Sequence, residues 1–488
     1  MSGRTATRKE LWVLGLASAG SFIVILDMLV VATALTTIQR DLGTSIEGLE
    51  WTVNSYTLSC AVFLMSAAAL GDRFGRRRVY AVGLGLFAVA SIGCALAPNI
   101  GVLIAARSVQ GAGAAAVLPL ALALLNATIP PDRRGWAMGI YGSVTGLSVV
   151  VGPVLGGAVT QGIAWQWIFW LNVPVAAGAI VPLFARVAES RGPSVRIDIV
   201  GLALITAAAF GVVWGLVRGN AAGWASPETL ASIGAGLVAA GVFVAWERRT
   251  ATPMLPPRLF RSRAFTSSNV AIFLVSGAIT GAVFFTAQFF QVALGEQPLA
   301  AGVRLLPWGI APLLLAPGAG ALSDRIGVRP LMIAGLSVET LGLAWLAAVA
   351  SPTTGYAALV GPITASGAGL AIAIPAITKC VVSAVPLTDV GKASGSFATM
   401  RQLGGAFGVA ILAAVFARTG GYGSAQSFAD GFSSAMAVGA GLAAVGAVAS
   451  LAVPRSRSAA ETAAGREPLA AATLPDSRSL LDHRIEKV

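Results

Sequence analysis

The sequence is poor in most of what solution chemistry uses. Its 488 residues include one histidine, three cysteines and only 11% charged residues. The histidine, His483, sits in a polar C-terminal stretch, so no His-based metal site or catalytic triad can be assembled. Cys60, Cys94 and Cys380 lie in or beside apolar runs, without the spacing of a metal site or a disulfide framework. No Gly-x-x-x-x-Gly-Lys-Ser/Thr loop occurs, which argues against an ATP-driven pump. An ordinary soluble chain carries about 25% charged residues. Here 56% of the residues are hydrophobic, and too few polar side chains remain to cover a water-soluble core. A net charge of +12 could suit nucleic acid, but the basic residues sit in short loops between apolar runs. Neither a nucleic-acid partner nor a cofactor or metal is expected.

What the chain has is long apolar stretches. A bilayer core of about 30 Å needs roughly 20 residues of helix. Fourteen stretches qualify: 11–33, 50–70, 79–97, 102–126, 136–160, 167–186, 197–217, 228–246, 267–291, 303–323, 330–350, 355–378, 397–418 and 433–453, here spans 1 to 14. Met1–Glu10 is short and basic, and the run after it is too long for a signal-peptide core, so it reads as span 1. Alternate loops hold eighteen Lys and Arg, from Arg73 to Lys392, whereas the opposite loops hold little beyond Arg40, Arg218, Arg304 and Arg418. The positive-inside rule places the rich loops and both termini in the cytoplasm. The expected class is therefore an all-α polytopic membrane protein whose partner is the lipid bilayer. The polar tail, 455–488, reads as disordered and cytoplasmic.

The two ends of the chain repeat each other. Gly111 and Gly367 are 256 positions apart, as are Gly135 and Gly391, and Gly152 and Gly408. Asp72-Arg73-Phe74-Gly75-Arg76-Arg77 is matched by Asp324-Arg325-Ile326-Gly327-Val328-Arg329, 252 positions on. Matched order, shift and loop side make spans 1–6 and 9–14 related six-helix bundles, with spans 7–8 inserted. The expected units are 1–190, 191–262 and 263–454. Transporters of this architecture bind substrate near the midplane between their halves.

Several motifs carry a family resemblance. Gly71-Asp72-Arg73-Phe74-Gly75-Arg76-Arg77-Arg78 resembles the cytoplasmic signature loop of the major facilitator superfamily, and Asp324, Arg325, Gly327 and Arg329 repeat it. Gly146, Gly152-Pro153 and Gly156-Gly157 in span 5 are similar to the antiporter motif of the exporter branches; small residues four apart let helices approach closely. Arg107-x-x-Gln110-Gly111-x-Gly113 resembles the family's helix 4 motif. Leu26-Asp27 and Trp165-Gln166-Trp167-Ile168-Phe169-Trp170-Leu171-Asn172-Val173-Pro174 resemble segments of the fourteen-span drug:proton antiporters, although Gln166 stands where an Arg is common. The resemblance implies a major facilitator fold and a bacterial cytoplasmic-membrane exporter of antibiotics, dyes and other amphipathic or cationic compounds. It implies protons and a small molecule as partners, a monomer, and gating loops around Asp72 and Asp324.

An ionisable group inside a span is a functional candidate by default. Asp27 and Arg107 fall at similar depth in the outer half of the membrane, where they could pair if both helices face the cavity. Desolvation and a nearby Arg pull a carboxyl in opposite directions, as a proton carrier requires. Glu339 in span 11 is the competing carrier. Arg401, about a turn inside span 13, reads as structural. Asn54, Tyr56, Gln110, Gln288 and Gln291 supply neutral polar groups for a substrate cavity. Trp12, Trp51, Trp165 and Trp224 fall near span ends and read as interfacial anchors. The alternative reading is an importer or facilitator of a specific metabolite. A membrane enzyme would need clustered His, Asp or Cys at the membrane face, and a sensor would need a soluble signalling domain; neither is expected.

Overall fold

The computed structural model describes residues 7–130, 133–192, 198–251, 253–386 and 389–454. The tail 455–488 lies outside the described residues. Among those described there is no strand. The helices are α1 Arg8–Leu42, α2 Ile46–Phe74, α3 Arg76–Ala95, α4 Ile100–Thr128, α5 Arg134–Gly162, α6 Trp167–Trp170, α7 Asn172–Arg186 and α8 Ile199–Ala222. They continue as α9 Pro227–Glu247, α10 Arg263–Val292, α11 Pro298–Arg304, α12 Leu306–Ile326, α13 Val328–Val349, α14 Tyr356–Ser383, α15 Val390–Thr419 and α16 Ala425–Ser450. Among the described residues, fourteen stretches are long and apolar enough to cross a membrane. Span 6 is built of α6 and α7 with a break at Leu171, and span 10 of α11 and α12 with a break at Leu305.

The helices outrun the apolar segments because different forces set the two kinds of end. Apolarity marks the part in hydrocarbon, whereas capping marks where the backbone stops being helical. Thr7 Oγ1 accepts the Glu10 N–H at 3.3 Å and the Glu10 carboxylate accepts the Thr7 N–H at 3.4 Å, a capping box that starts α1. At the other end Gly43, with φ 59°, closes a helix of 35 residues where the apolar run covered 11–33.

Helices α1–α7 pack among themselves, as do α10–α16, giving two six-span bundles. Small residues put backbones in contact: a Cβ on Gly408 would come within 2.1 Å of the Gly277 carbonyl oxygen, and one on Gly369 within 2.4 Å of the Glu339 nitrogen. The inserted hairpin α8–α9 lies against α2 and α15, the seam between the bundles. There Trp51 packs on Phe210 and Trp214 with ring centroids 5.8 and 5.6 Å away. Trp165 is likewise buried and donates its indole N–H to Asp41 at 2.9 Å. Trp51 and Trp165 are thus packing residues, because another helix or loop occupies the place that lipid headgroups would; Trp12 and Trp224 keep exposed rings.

The repeated loops share one geometry. Gly75 (φ 112°) and Gly327 (φ 86°) both stand directly before the next helix, in a conformation that side chains disfavour.

Candidate functional site

The two bundles meet unevenly. On the arginine-poor face α5 closes on α11 and α12 of the other bundle. A Cβ on Gly157 would lie 2.2 Å from the Pro298 carbonyl oxygen, one on Gly302 2.1 Å from that of Pro153, and one on Gly309 3.0 Å from that of Val149. Gln291 reinforces this closure by accepting from the Thr36 hydroxyl and donating to the Thr33 carbonyl at 3.1 Å. Toward the arginine-rich face α5 and α12 part, and a Cβ on Gly139, Gly142, Gly146, Gly318 or Gly320 would meet nothing within 4 Å. Along α2 and α15 the bundles stay in touch, with Met65 against Gly395 and Gln402 donating to Cys60 Sγ at 3.4 Å.

Between these contacts lies a cavity holding about 820 Å³ of empty space, counting its open side. Both bundles wall it: Met28, Leu29 and Val149 from one, Val283, Phe284 and Trp308 from the other. Thr280 puts a hydroxyl among these lining residues, whereas the Trp308 indole nitrogen is enclosed. The Trp308 N–H has no partner. Such a wall recognises shape and apolar area rather than a fixed hydrogen-bond pattern.

None of the five polar residues expected to line the cavity is on its wall. Tyr56 and Gln110 are drawn into the first bundle, where they serve Arg107. Gln288 is fully enclosed and accepts from the Tyr422 hydroxyl, while Gln291 ties the closed face. Asn54 is fully enclosed with neither amide atom hydrogen-bonded. Apart from Asn54, these side chains are held by hydrogen bonds inside a bundle or at the closed face, which leaves the wall apolar.

The first bundle instead holds a sealed polar core. Asp27 Oδ2 pairs with Arg107, and Asp27 Oδ1 accepts from Gln110 at 2.9 Å and from Asn172 at 2.6 Å. Arg107 also donates to Gln110 Oε1 at 2.6 Å and to the Thr52 carbonyl at 3.1 Å, with its guanidinium carbon 4.2 Å from the Tyr56 ring centre. Gln110 donates to Ser91 Oγ at 2.8 Å. Asp27 and Arg107 are 0% and 1% exposed, so the pair lies inside the bundle; it forms although the two helices do not face the cavity together. Removing one member of such a pair costs about 3–5 kcal/mol, because the other charge is left uncompensated. Sequence reasoning missed Asn172 and Ser91. Asn172 stood inside the Trp165–Pro174 segment as the first residue after a helix break; Ser91 gave no signal.

Glu339, on α13, is also fully buried and off the cavity. Its Oε1 accepts from the Ser366 hydroxyl at 3.1 Å, its Oε2 has no partner, and no cation pairs with it among the described residues. Glu50 on α2 went unremarked at a span end; it is 4% exposed, with Oε2 unpartnered, one helical turn from Asn54.

The signature loop acts within its own bundle in this conformation. Asp72 and Arg76 pair at 2.8 Å. The Arg77 N–H donates to Glu189 at 2.9 Å and the Arg77 guanidinium to the Val187 carbonyl at 2.8 Å. The loop thereby clasps the segment that follows α7, and the Gly75 Cα faces the Glu189 carboxylate so closely that a Cβ would lie 2.6 Å from its carbon. In the second copy the side chain of Asp324 lies outside the described residues, and Arg325 is exposed. Of the span 5 motif, Gly152 and Gly156 seat α5 on Leu29 and Val30 of α1, while Pro153 and Gly157 meet the opposite bundle. Gly146 stands outside this contact, facing open space.

The comparisons agree with this architecture. The PepTSo transporter of the POT family superposes with a TM-score of 0.69 at 13% identity, covering 95% of this chain and 100% of its own, which speaks to the fold alone. Among sequences, the multidrug resistance protein Stp of Mycobacterium tuberculosis is 36% identical over 412 residues, 84% of this chain and 76% of that protein. The tetracenomycin C resistance and export protein of Streptomyces glaucescens is 33% identical over 82% of this chain and 74% of its own. The methylenomycin A resistance protein of Bacillus subtilis is 32% identical over 82% and 86%. The family model described as Major Facilitator Superfamily matches residues 17–408, with a second match over 269–485. With two six-span bundles around one cavity and a family match across most of its length, the chain belongs to the Major Facilitator Superfamily.

Proposed function

We propose that this protein is a proton-coupled antiporter that exports small amphipathic compounds across the bacterial cytoplasmic membrane as a monomer. The arginine-rich face and both termini are cytoplasmic on this reading, and the conformation described is open to the cytoplasm. The observation that carries the proposal is the apolar cavity, shared by both bundles, closed on the arginine-poor face and open on the other. An amphipath would enter from the cytoplasm or inner leaflet and leave once the bundles rock to part α5 from α11. The relatives' names, multidrug and antibiotic resistance proteins, favour export over uptake.

Coupling is assigned to Asp27. In this state its charge is neutralised by Arg107 and sealed from water. A proton reaching Asp27 from outside, in the opposite state, would cancel its charge and release Arg107 from it. Return to the cytoplasm-open state would restore the pair and expel the proton. Glu339 is the competing carrier. The Asp72 and Asp324 loops are assigned to holding the cytoplasmic side closed in the alternate state. The working units are residues 1–190 and 263–454, with 191–262 bracing the α2–α15 seam.

The test is transport in vesicles containing purified protein. An imposed pH gradient should drive dye accumulation against its own gradient, and dissipating the pH gradient should abolish it. Accumulation that persists without any proton gradient would exclude proton coupling.

A further inference from the structure

Arg401 stands on α15, inside a span, and a structural arginine there needs partners for its donors. Arg107 shows what such partners look like: a carboxylate, an amide oxygen, a backbone carbonyl and a ring. Arg401 has none of these among the described residues, whether ion pair, hydrogen bond or ring contact. It is half-buried, and none of its nitrogens is sealed from solvent.

Its position is defined by its neighbours. Although it belongs to the second bundle, its helix face is turned to the first: the adjacent Gln402 donates to Cys60 Sγ of α2 at 3.4 Å, a Cβ on Gly405, one turn on, would lie 3.4 Å from Thr57 of α2, and Tyr141 of α5 is within its electrostatic reach. The side chain therefore lies in the cleft between bundles. The Tyr141 hydroxyl is already given to Ser21 at 2.9 Å. One helical turn further along α15, a Cβ on Gly405 would touch Thr280, which lines the cavity. Arg401 thus sits about 6 Å nearer the arginine-rich face than that wall, at the open mouth.

The cavity wall itself carries no charged side chain. The carboxylates near it are turned away: Asp27 is spent on Arg107, Glu339 lies between α13 and α14, and Glu50 is enclosed at the closed face. A cationic compound entering from the open side meets a positive charge and finds no free carboxylate on the wall. An anionic one meets a planar guanidinium, suited to bidentate recognition of a carboxylate or sulfonate.

We propose that Arg401 is a substrate-recognition residue, and that the preferred cargo is an amphipathic acid with its apolar body in the cavity and its anionic group on Arg401. This rests on the export reading and narrows its substrate class. The sequence alone favoured a structural role for Arg401, because nothing in it shows that the side chain lacks a partner.

Fluorescein and rhodamine 123 share a xanthene skeleton and carry opposite charge near neutral pH. Their binding to the purified full-length protein, by fluorescence anisotropy, tests the proposal. Fluorescein should bind at least about tenfold more tightly than rhodamine 123, the scale of one charge-assisted contact. Arg401→Ala should lose about that factor for fluorescein and leave rhodamine 123 unchanged or improved. Arg401→Lys, which keeps the charge but not the fork, should fall between. Equal loss of both dyes in the Ala and Lys variants would mark a structural role. Wild type that prefers rhodamine 123, or binds neither dye, overturns the proposal as well. Vesicle transport separates this from the parent reading: selective binding of fluorescein without pH-driven movement of either dye would sustain the anion site and defeat proton-coupled export.

Discussion

In the first bundle the buried carboxylate of Asp27 is answered by Arg107, Gln110 and Asn172. In the second bundle the position 256 residues beyond Arg107 is Ile363, and the one beyond Gln110 is Ser366. Ser366 holds the other buried carboxylate, Glu339, by a single hydroxyl. The fourth span of each half therefore serves a buried acid, but one on α1 with a compensated charge in the first half and a lone one on α13, the third span, in the second. A duplicated scaffold fixes the backbone crossings, through glycines such as Gly113 and Gly369, while leaving polar contents free to diverge. Of these two buried acids, Asp27 is the one whose loss would leave a second charge stranded.

That difference can be broken most sharply at Asp27. Asp27→Asn leaves Arg107 buried without a counter-charge, and stability should fall by about 3–5 kcal/mol. Adding Arg107→Gln should recover much of this, as read by thermal unfolding in detergent. A single variant as stable as wild type would mean that Arg107 finds another anion.

The closed face gives the next largest effect. Gly157→Ala places a methyl 2.2 Å from the Pro298 carbonyl oxygen, so the cytoplasm-open state is disfavoured. Turnover should drop about tenfold, equivalent to a population shift of about 1.4 kcal/mol. Gly146→Ala, facing open space in the same motif, should change turnover by less than about twofold if it is neutral there. Equal effects at the two glycines would remove α5–α11 packing from the mechanism.

Asp72→Asn should slow transport several-fold, about 1 kcal/mol, and leave dye affinity intact, because Asp72 contacts Arg76 and Gly192 at the arginine-rich face and is not on the cavity wall. Altered affinity with unchanged turnover would count against a gating role. The smallest change is expected at Glu339→Gln. Exchange of a lone acid for an isosteric amide strands no charge, and stability should shift by less than about 1 kcal/mol, measured in the same unfolding assay. A loss as large as that of Asp27→Asn would show that Glu339 has an ionic partner after all.

Much of this was legible in the sequence. Hydropathy located fourteen spans, loop arginines told the two faces apart, and matched glycines pointed to the repeat. Asp27 and Arg107 could be matched in depth, since 1.5 Å per residue converts sequence position into height, but the pairing was expected at the cavity and forms inside the bundle instead. The cavity wall was not legible. Any apolar residue of a span can face lipid, a neighbouring helix or the cavity, and hydropathy does not separate these. The polar residues chosen for the wall were spent elsewhere: Gln110 on the ion pair, Gln288 and Gln291 on Tyr422 and Thr36. The clasp of Glu189 on Arg77 joins residues 112 positions apart and needed the fold to be seen.

The coupling assignment meets its most direct test in uphill dye efflux under a fixed pH gradient, measured side by side for wild type, Asp27→Asn and Glu339→Gln. Asp27→Asn, at matched folded protein, should fail to concentrate dye yet still exchange it downhill, while Glu339→Gln keeps concentrating it. If Asp27→Asn concentrates dye against its gradient and Glu339→Gln cannot, the proton is carried by the second bundle and the role given to Asp27 is wrong.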